Sequence, residues 1–458
     1  MIIPSRLPHA SVSSSVRFFS QDNSAPQITT HYNLLMRIAA RFFILILTTI
    51  ALAQNPAQSS LPAEAKFVTV PITLDHNRVV IDVDVPLTDG STRQVRAWVD
   101  NGGPEQWMSS RVSTWLGLAV GNCNGQVCSA KSPTPRVSLE ILIGGMKVFL
   151  SAVGEIKVPA AAPTVAPGMN TEINIPSSVL RNYDVLINFP NHELTIGQPG
   201  SLKFQGVKAK VMVNAENGLI QIPSQIENKK YNLGLDLGSS ISFLTDDLFD
   251  KLTSAHPDWP HMTGAIGLAN MWGSQDEPKW RLMRVARVQY GPLFLTDVVA
   301  AEFSKDRMDF FQKRAGVPTA GLLGANALVN YRVGLDYAHS VVYFDIGRTF
   351  NFPAFDVIGL VLRPEIDGRF AILGVADYDG KPSVPEIQAG DYLVAVDGIA
   401  TAGSTLGQVW TMLGGEAGKE RTLTIERGGK QVTIIARVQH FLGEDSDNPN
   451  QRSSKKKN

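Results

Sequence analysis

The chain has 458 residues, of which 44% are hydrophobic and 18% charged. This is longer than one ordinary domain, so two or three are expected, with enough apolar content for a sizeable core. Lysine plus arginine equal aspartate plus glutamate at 42 each. A formal net charge of zero argues against a nucleic-acid binder, which would show a basic face or stripe.

The first 60 or so residues read as targeting sequence rather than fold. "MRIAARFFILILTTIALAQ" opens at Met36 with two arginines, continues through an apolar run from Phe42 to Leu52, and closes on Ala51-Leu52-Ala53, a small-x-small cleavage pattern. The run is short for a membrane span, which needs about 20 apolar residues. Residues 36–53 are therefore expected to be a signal peptide, with no stable span after cleavage. An uncleaved form would stay anchored. Residues 1–35 are polar and Ser-rich, which no export signal needs, and are expected to be a non-native extension. Residues 54–65 are a linker. The destination is periplasmic or extracellular.

The chain has two cysteines, Cys123 and Cys128, in "GNCNGQVCSA". In an exported chain this spacing reads as a local disulfide stapling a turn. A metal site would want four clustered ligands; none is expected, nor is a cofactor.

From Lys66 to about Phe350 short runs such as "FVTVPITLD", "RVVIDVDVPL" and "VVYFDIG" alternate with Gly, Pro, Asn and Asp, a β pattern. Two short helices carry capping signals: "SSRVSTWLGL", from Ser109 or Ser110, and "TDDLFDKLTS", from Thr245. The stretch repeats itself. "RAWVDNGGPEQWMSSRVSTWLGL" answers "YNLGLDLGSSISFLTDDLFDKL", each a strand, an Asp-x-Gly and a capped helix. "VSLEILIGGMKVFLSAV" answers "VARVQYGPLFLTDVV", and "SSVLRNYDVLINFPNHELTIG" answers "ANALVNYRVGLDYAHSVVYFDIG". Three matches in one order predict a duplication, and two copies predict two similar lobes about a pseudo-two-fold axis. The lobes are expected over residues 66–200 and 201–350.

In such a pair the equivalent loops meet at the axis, and Asp100 faces Asp236. Two adjacent buried carboxylates share one proton, so one can serve as general base toward a water while the other polarises a peptide carbonyl. Gly102 and Gly238 are expected to form the tight turns that project the carboxylates and let backbone N–H groups approach. The alternative is ordinary turn chemistry, as expected at Asp89-Gly90, Asp367-Gly368, Asp379-Gly380 and Asp397-Gly398.

On "WVDNGG", "GLDLGSS" and "GLLGANALVNYRVGLDY", residues 66–350 resemble the retropepsin-like and pepsin-like aspartic peptidases in a fused, single-chain form. The resemblance implies that Asp100 and Asp236 are the catalytic pair, with Asn101, Gly102, Leu237, Gly238 and Ser239 in support. The family has Thr where this chain has Asn101 and Leu237. Each family Thr braces the opposite loop; Asn101 can make such a bond and Leu237 cannot. The resemblance also implies a hairpin flap. In the second lobe the corresponding interval is "MTGAIGLANMWGSQDE", with Met271 and Trp272 as its apolar crown.

After Phe350 the texture changes to strands, one helix and a terminal hairpin, a small α+β domain over residues 354–440 followed by a polar, disordered tail over 441–458. "AGDYLVAVDG" and its surroundings are similar to a PDZ domain, a family that binds extended peptide ends by adding a strand to a sheet edge. The implied groove comprises Ile358, Gly359, Leu360, Val361 and Leu362 on the strand side, and Leu406, Val409 and Trp410 on the helix. Two functions follow as expectations. The first is an exported aspartic-type endopeptidase whose PDZ-like domain recruits polypeptide substrates or C-terminal peptides. The second is a catalytically inactive peptide-binding envelope protein on the same mainly β scaffold.

Overall fold

Strand Leu186 lies opposite Gly334 at the centre of a six-stranded sheet, and the pairing spreads symmetrically from there, Asp184 to Asp336 and Asn188 to Arg332. In the sequence repeat "NYDVLINF" matches "NYRVGLDY", so Leu186 and Gly334 are each other's equivalents. A residue paired with its own counterpart marks a local two-fold axis. The sheet order agrees: Phe67–Pro71, Glu193–Gly197 and Asp184–Asn188 on one side, then Tyr331–Asp336, Val341–Ile346 and Val207–Lys210 on the other. Both halves of the chain contribute to it.

The computed structural model describes residues 65–443, apart from 126, 132–138, 151–155, 161, 163 and 348–354. The expected extension and signal segment, and the tail beyond residue 443, lie outside the described residues, as does all of the linker but Ala65. Among the described residues no helix is long and apolar enough to cross a membrane.

Each half adds a sheet of its own. In the first, Thr92–Asp100 pairs antiparallel with Arg78–Pro86 and parallel with Ile173–Pro176, bringing Asp100 beside Pro176. In the second, Lys229–Asp236 pairs antiparallel with Ile220–Ile226 and parallel with Gly321–Gly324, bringing Asp236 beside Gly324. The architecture is mainly β and duplicated. The strands that carry the aspartates end in buried alternation or continuous apolar sequence, as interior strands should. The helix caps fall where the sequence predicts: Ser109 Oγ accepts from Val112 N, and Thr245 Oγ1 from Leu248 N. An additional helix, Lys305–Ala315, ends at Gly316 with φ +76°, a left-handed cap. The four Asp-Gly turns also form, each glycine at positive φ.

The C-terminal part is a sheet in the order Leu360–Pro364, Phe370–Val375, Tyr392–Val396, Glu420–Arg427, Lys430–Arg437, with one helix, Leu406–Leu413. It does not stand off on a linker. The described residues form one compact unit, and Ile241, Phe243, Met271 and Leu282 share a core with Leu360, Leu362, Val409 and Trp410. The expected tail is corrected at its start. Phe441 and Leu442 are buried, Phe441 packs edge-on against Tyr378, and the Leu442 carbonyl accepts from Arg284 Nε at 2.6 Å. Two apolar residues ahead of a polar tail gain more from burial than from remaining with it.

Candidate active site

Asp100 and Asp236 end equivalent strands, and the two loops that follow interlock. A methyl placed on Gly102 would lie 2.1 Å from Asp236 Cγ, and one on Gly238 would lie 2.5 Å from Asp100 Oδ1. Each glycine therefore rests on the opposite carboxylate. Neither lies in the left-handed region of φ, unlike the four Asp-Gly turns. This corrects the expected reason for these glycines: close approach of the partner loop excludes a side chain, and the turn itself does not require one. Their N–H groups face their own aspartates. Asp100 Oδ1 accepts from Gly102 N at 3.1 Å; Asp236 Oδ1 accepts from Gly238 N at 3.1 Å and Ser239 N at 3.0 Å.

The loops are tied behind the carboxylates in the same manner. The Gly103 carbonyl accepts from Ser177 N, and the Ser239 carbonyl from Ala325 N, both at 2.9 Å. Gly103 and Ser239 are equivalent in the repeat, as are Ser177 and Ala325. Ser177, which nothing in its sequence context marked, also donates its hydroxyl to the Gly103 and Asn217 carbonyls.

Asn101 bonds to both sides of the opposite aspartate. Its Nδ2 donates to the Leu235 carbonyl at 2.9 Å, and its Oδ1 accepts from Leu237 N at 2.7 Å. A carboxamide offers a donor and an acceptor on one planar group, so a single side chain meets both backbone groups. Leu237 makes no matching bond and is 1% exposed, its side chain in the core.

Burial pushes the Asp100 carboxyl well above the ordinary aspartate range, and the nearby Asp236 charge pushes it further; the Gly102 N–H opposes them. Burial raises Asp236 to about 6 against the pull of the Ser239 and Gly238 N–H groups. Glu105, a smaller contributor at Asp100, is paired with Arg314 at the end of helix Lys305–Ala315. The site can hold one proton between two carboxyls. Among the described residues no group of three or more His, Cys, Asp or Glu is placed to hold a metal ion.

The segment expected as a flap is packed down. Met271 is 1% exposed, and its Sδ accepts from Ser239 Oγ at 3.4 Å. Trp272 stacks on Phe243 and meets Trp280 edge-on. Apolar side chains in a Gly-rich loop have found a core instead of a free edge. The expected peptide groove is also filled. Ile358, Gly359, Leu360, Val361, Leu362, Leu406, Val409 and Trp410 are all buried. Ile358 N donates to the Leu413 carbonyl and Leu360 N to the Ile358 carbonyl, so these N–H groups are committed within the chain. Gly359 packs against Ser383 and Phe441. Cys123 and Cys128 form the expected disulfide, facing each other across a hairpin.

No protein-family model matches the chain, and no curated protein matches it. Solved structures do. An aspartic proteinase from Irpex lacteus is similar at 12% identity and a TM-score of 0.39, covering 61% of this chain and 97% of its own. Basic 7S globulin from soybean is similar at 12% identity and a TM-score of 0.34, covering 63% of this chain and 99% of its own.

Proposed function

We propose that this chain is an exported aspartic-type endopeptidase with Asp100 and Asp236 as its catalytic pair. The observation that carries the reading is the interlock of the two loops, which sets each carboxylate against the other loop's glycine. At a pH where the pair holds one proton, the charged carboxylate takes a proton from a water. The water oxygen adds to the peptide carbonyl while the protonated carboxyl donates to the carbonyl oxygen. Collapse of the tetrahedral intermediate breaks the C–N bond, with a proton delivered to the leaving amine. Asn101 and the N–H groups of Gly102, Gly238 and Ser239 hold the carboxylates before the reaction begins, where preorganisation is worth most. Substrates are unfolded polypeptide segments, since an extended backbone is needed to reach a site between two lobes. Export fits the disulfide, which persists in oxidising compartments. Cleavage of an unfolded protein across acidic pH tests the reading. Both Asp100→Asn and Asp236→Asn should abolish it, and cleavage that survives in both would overturn it.

The buried Leu237 favours a second reading, a peptide-binding protein without turnover, because only one of the two loops is braced by a side chain of the opposite loop. It predicts that the same unfolded protein binds and is recovered intact.

A further inference from the structure

Residues 264–280 leave the second lobe after His261–Thr263 and return into Arg281–Tyr290. The base of this loop is closed by Gly264 N to the Trp280 carbonyl at 2.8 Å and Ala265 N to the Glu277 carbonyl at 3.0 Å. Its crown, residues 270–273, touches both strand Leu360–Pro364 and helix Leu406–Leu413. That strand is an edge of its sheet, paired on one side only. An edge strand presents unpaired N–H and carbonyl groups to whatever lies beside it. Here the neighbour is a side chain. Asn270 Nδ2 donates to the Leu362 carbonyl at 2.8 Å, Leu362 N donates to Asn270 Oδ1 at 3.1 Å, and Trp410 Nε1 donates to the same Oδ1 at 3.2 Å. The carboxamide presents the donor and acceptor that an added strand's peptide groups would supply. It meets strand and helix at once.

The crown is held in shape by Glu277, which accepts from Asn270 Nδ2 at 2.5 Å, Trp272 N at 3.0 Å and Gly273 N at 3.2 Å. The fit is close. A methyl on Gly273 would lie 2.8 Å from Arg363 Cα, and one on Gly264 2.9 Å from Ala376 Cα. A second contact fixes the helix. Asp75 Oδ1 accepts from Thr405 Oγ1 at 3.1 Å, at the cap of Leu406–Leu413, and a methyl on Gly407 would lie 2.0 Å from that oxygen. His76 stacks on Trp410.

The other side of the loop reaches the aspartate. Ser239 Oγ meets Met271 Sδ, Ser240 Oγ donates to the Leu268 carbonyl at 2.8 Å, and the buried Arg78 donates from Nη1 to the Met271 carbonyl at 3.3 Å. Ser239 and Ser240 stand three and four residues after Asp236 on the same loop, and Ser239 N bonds to its carboxylate.

We propose that residues 270–273 are an internal ligand of the C-terminal domain, seated by Asn270 on the Leu362 edge and against Trp410, and that through Met271 and Leu268 this docking positions the loop carrying Asp236. Asn270 is then a positioning residue for the second aspartate, and the C-terminal domain is a structural part of the site. The consequence for cleavage rests on the function proposed above; the docking and its coupling to Asp236 do not.

The test compares the full-length chain with Asn270→Ala and with Trp410→Phe, which keeps an aromatic ring of smaller size and removes the indole N–H donor. Backbone hydrogen exchange and the titration of Asp236, followed by carboxyl-carbon NMR, are the readouts, and neither requires activity. In Asn270→Ala, exchange at Leu362 and across 264–277 should quicken roughly tenfold or more, as for loss of buried hydrogen bonds. Exchange at Gly238 and Ser239 should quicken with it, and the Asp236 midpoint should rise as its N–H donors loosen. Amides of Leu139–Ile143 and Glu420–Arg427 should not change. Should Asn270→Ala raise exchange everywhere, Trp410→Phe decides, with the same pattern at smaller amplitude. Unchanged exchange at Leu362 and 264–277 overturns the docking. Faster exchange there, with Gly238, Ser239 and the Asp236 midpoint unmoved, overturns the coupling. Loss of cleavage in the aspartate variants bears on the proposed function alone.

Discussion

Asn101 accepts a hydrogen bond from the Leu237 amide, so the residue after one aspartate holds the residue after the other. The bond joins the loops from one side only, because Leu237 returns nothing. Asn101→Ala leaves the Leu237 N–H and the Leu235 carbonyl buried without this partner, a cost of about 1–3 kcal/mol. Thermal unfolding should detect it, and under the proposed function peptide cleavage should fall more than stability alone accounts for. Asn101→Thr restores one donor and one acceptor on a single hydroxyl and should recover most of both. Equal loss in the Thr and Ala variants would mean that the bonds do not matter.

Gly238→Ala places a methyl 2.5 Å from Asp100 Oδ1 and 2.9 Å from its Cα, where backbone cannot yield. The variant is expected to lose at least several kcal/mol or to separate the loops, since overpacking costs roughly 1–3 kcal/mol even where neighbours can shift. Gly90→Ala serves as the control. Its glycine has open space but φ +82°, so it should cost only about 1–2 kcal/mol of backbone strain. Denaturant unfolding of the two variants compares the effects; similar losses would refute the close-approach argument.

The pH dependence of stability follows from the sign of the aspartate shifts. Both carboxyls are raised in the folded chain, Asp236 to about 6 and Asp100 upward by burial and by the Asp236 charge. The stability they contribute is complete below the unfolded value near 3.8 and is lost as pH rises through about 6 and beyond. Asp100→Asn removes one of two buried like charges. It should raise Tm above pH 6, by roughly 2–4 °C per kcal/mol, and have little effect near pH 4. Glu277, raised by burial to about 7, titrates in the same window in both proteins, so the difference isolates the pair. A lower Tm at pH 7 in the variant would contradict repulsion at the site.

The Cys123–Cys128 bridge closes a very short loop within one hairpin, and the chain-entropy model gives it about 2 kcal/mol. Replacing both cysteines by serine should lower Tm by a few degrees, with the faster hydrogen exchange confined to Ala119–Asn124 and Val127–Lys131. Faster exchange at Gly102 or Gly238 would mean that the hairpin supports the site as well.

Much of the fold was legible because its signals are local or repeated. Ser109 and Thr245 announce their helices by chemistry within three residues. The Asp-Gly turns do so by glycine at positive φ. The match of "NYDVLINF" to "NYRVGLDY" announces a two-fold arrangement, because equivalent segments that pair must do so about an axis. The sequence alone thus determined a mainly β, duplicated chain and singled out Asp100 and Asp236. Only the tertiary structure decided why Gly102 and Gly238 are glycines, that Asn101 spans the opposite strand end by itself, that Met271 is core with the half-buried Trp272 packed against it, and that Leu362 and Trp410 are covered by Asn270. Each of these is a contact between residues far apart in the chain, set by which surfaces meet, and no pattern within either segment records the partner it will be packed against.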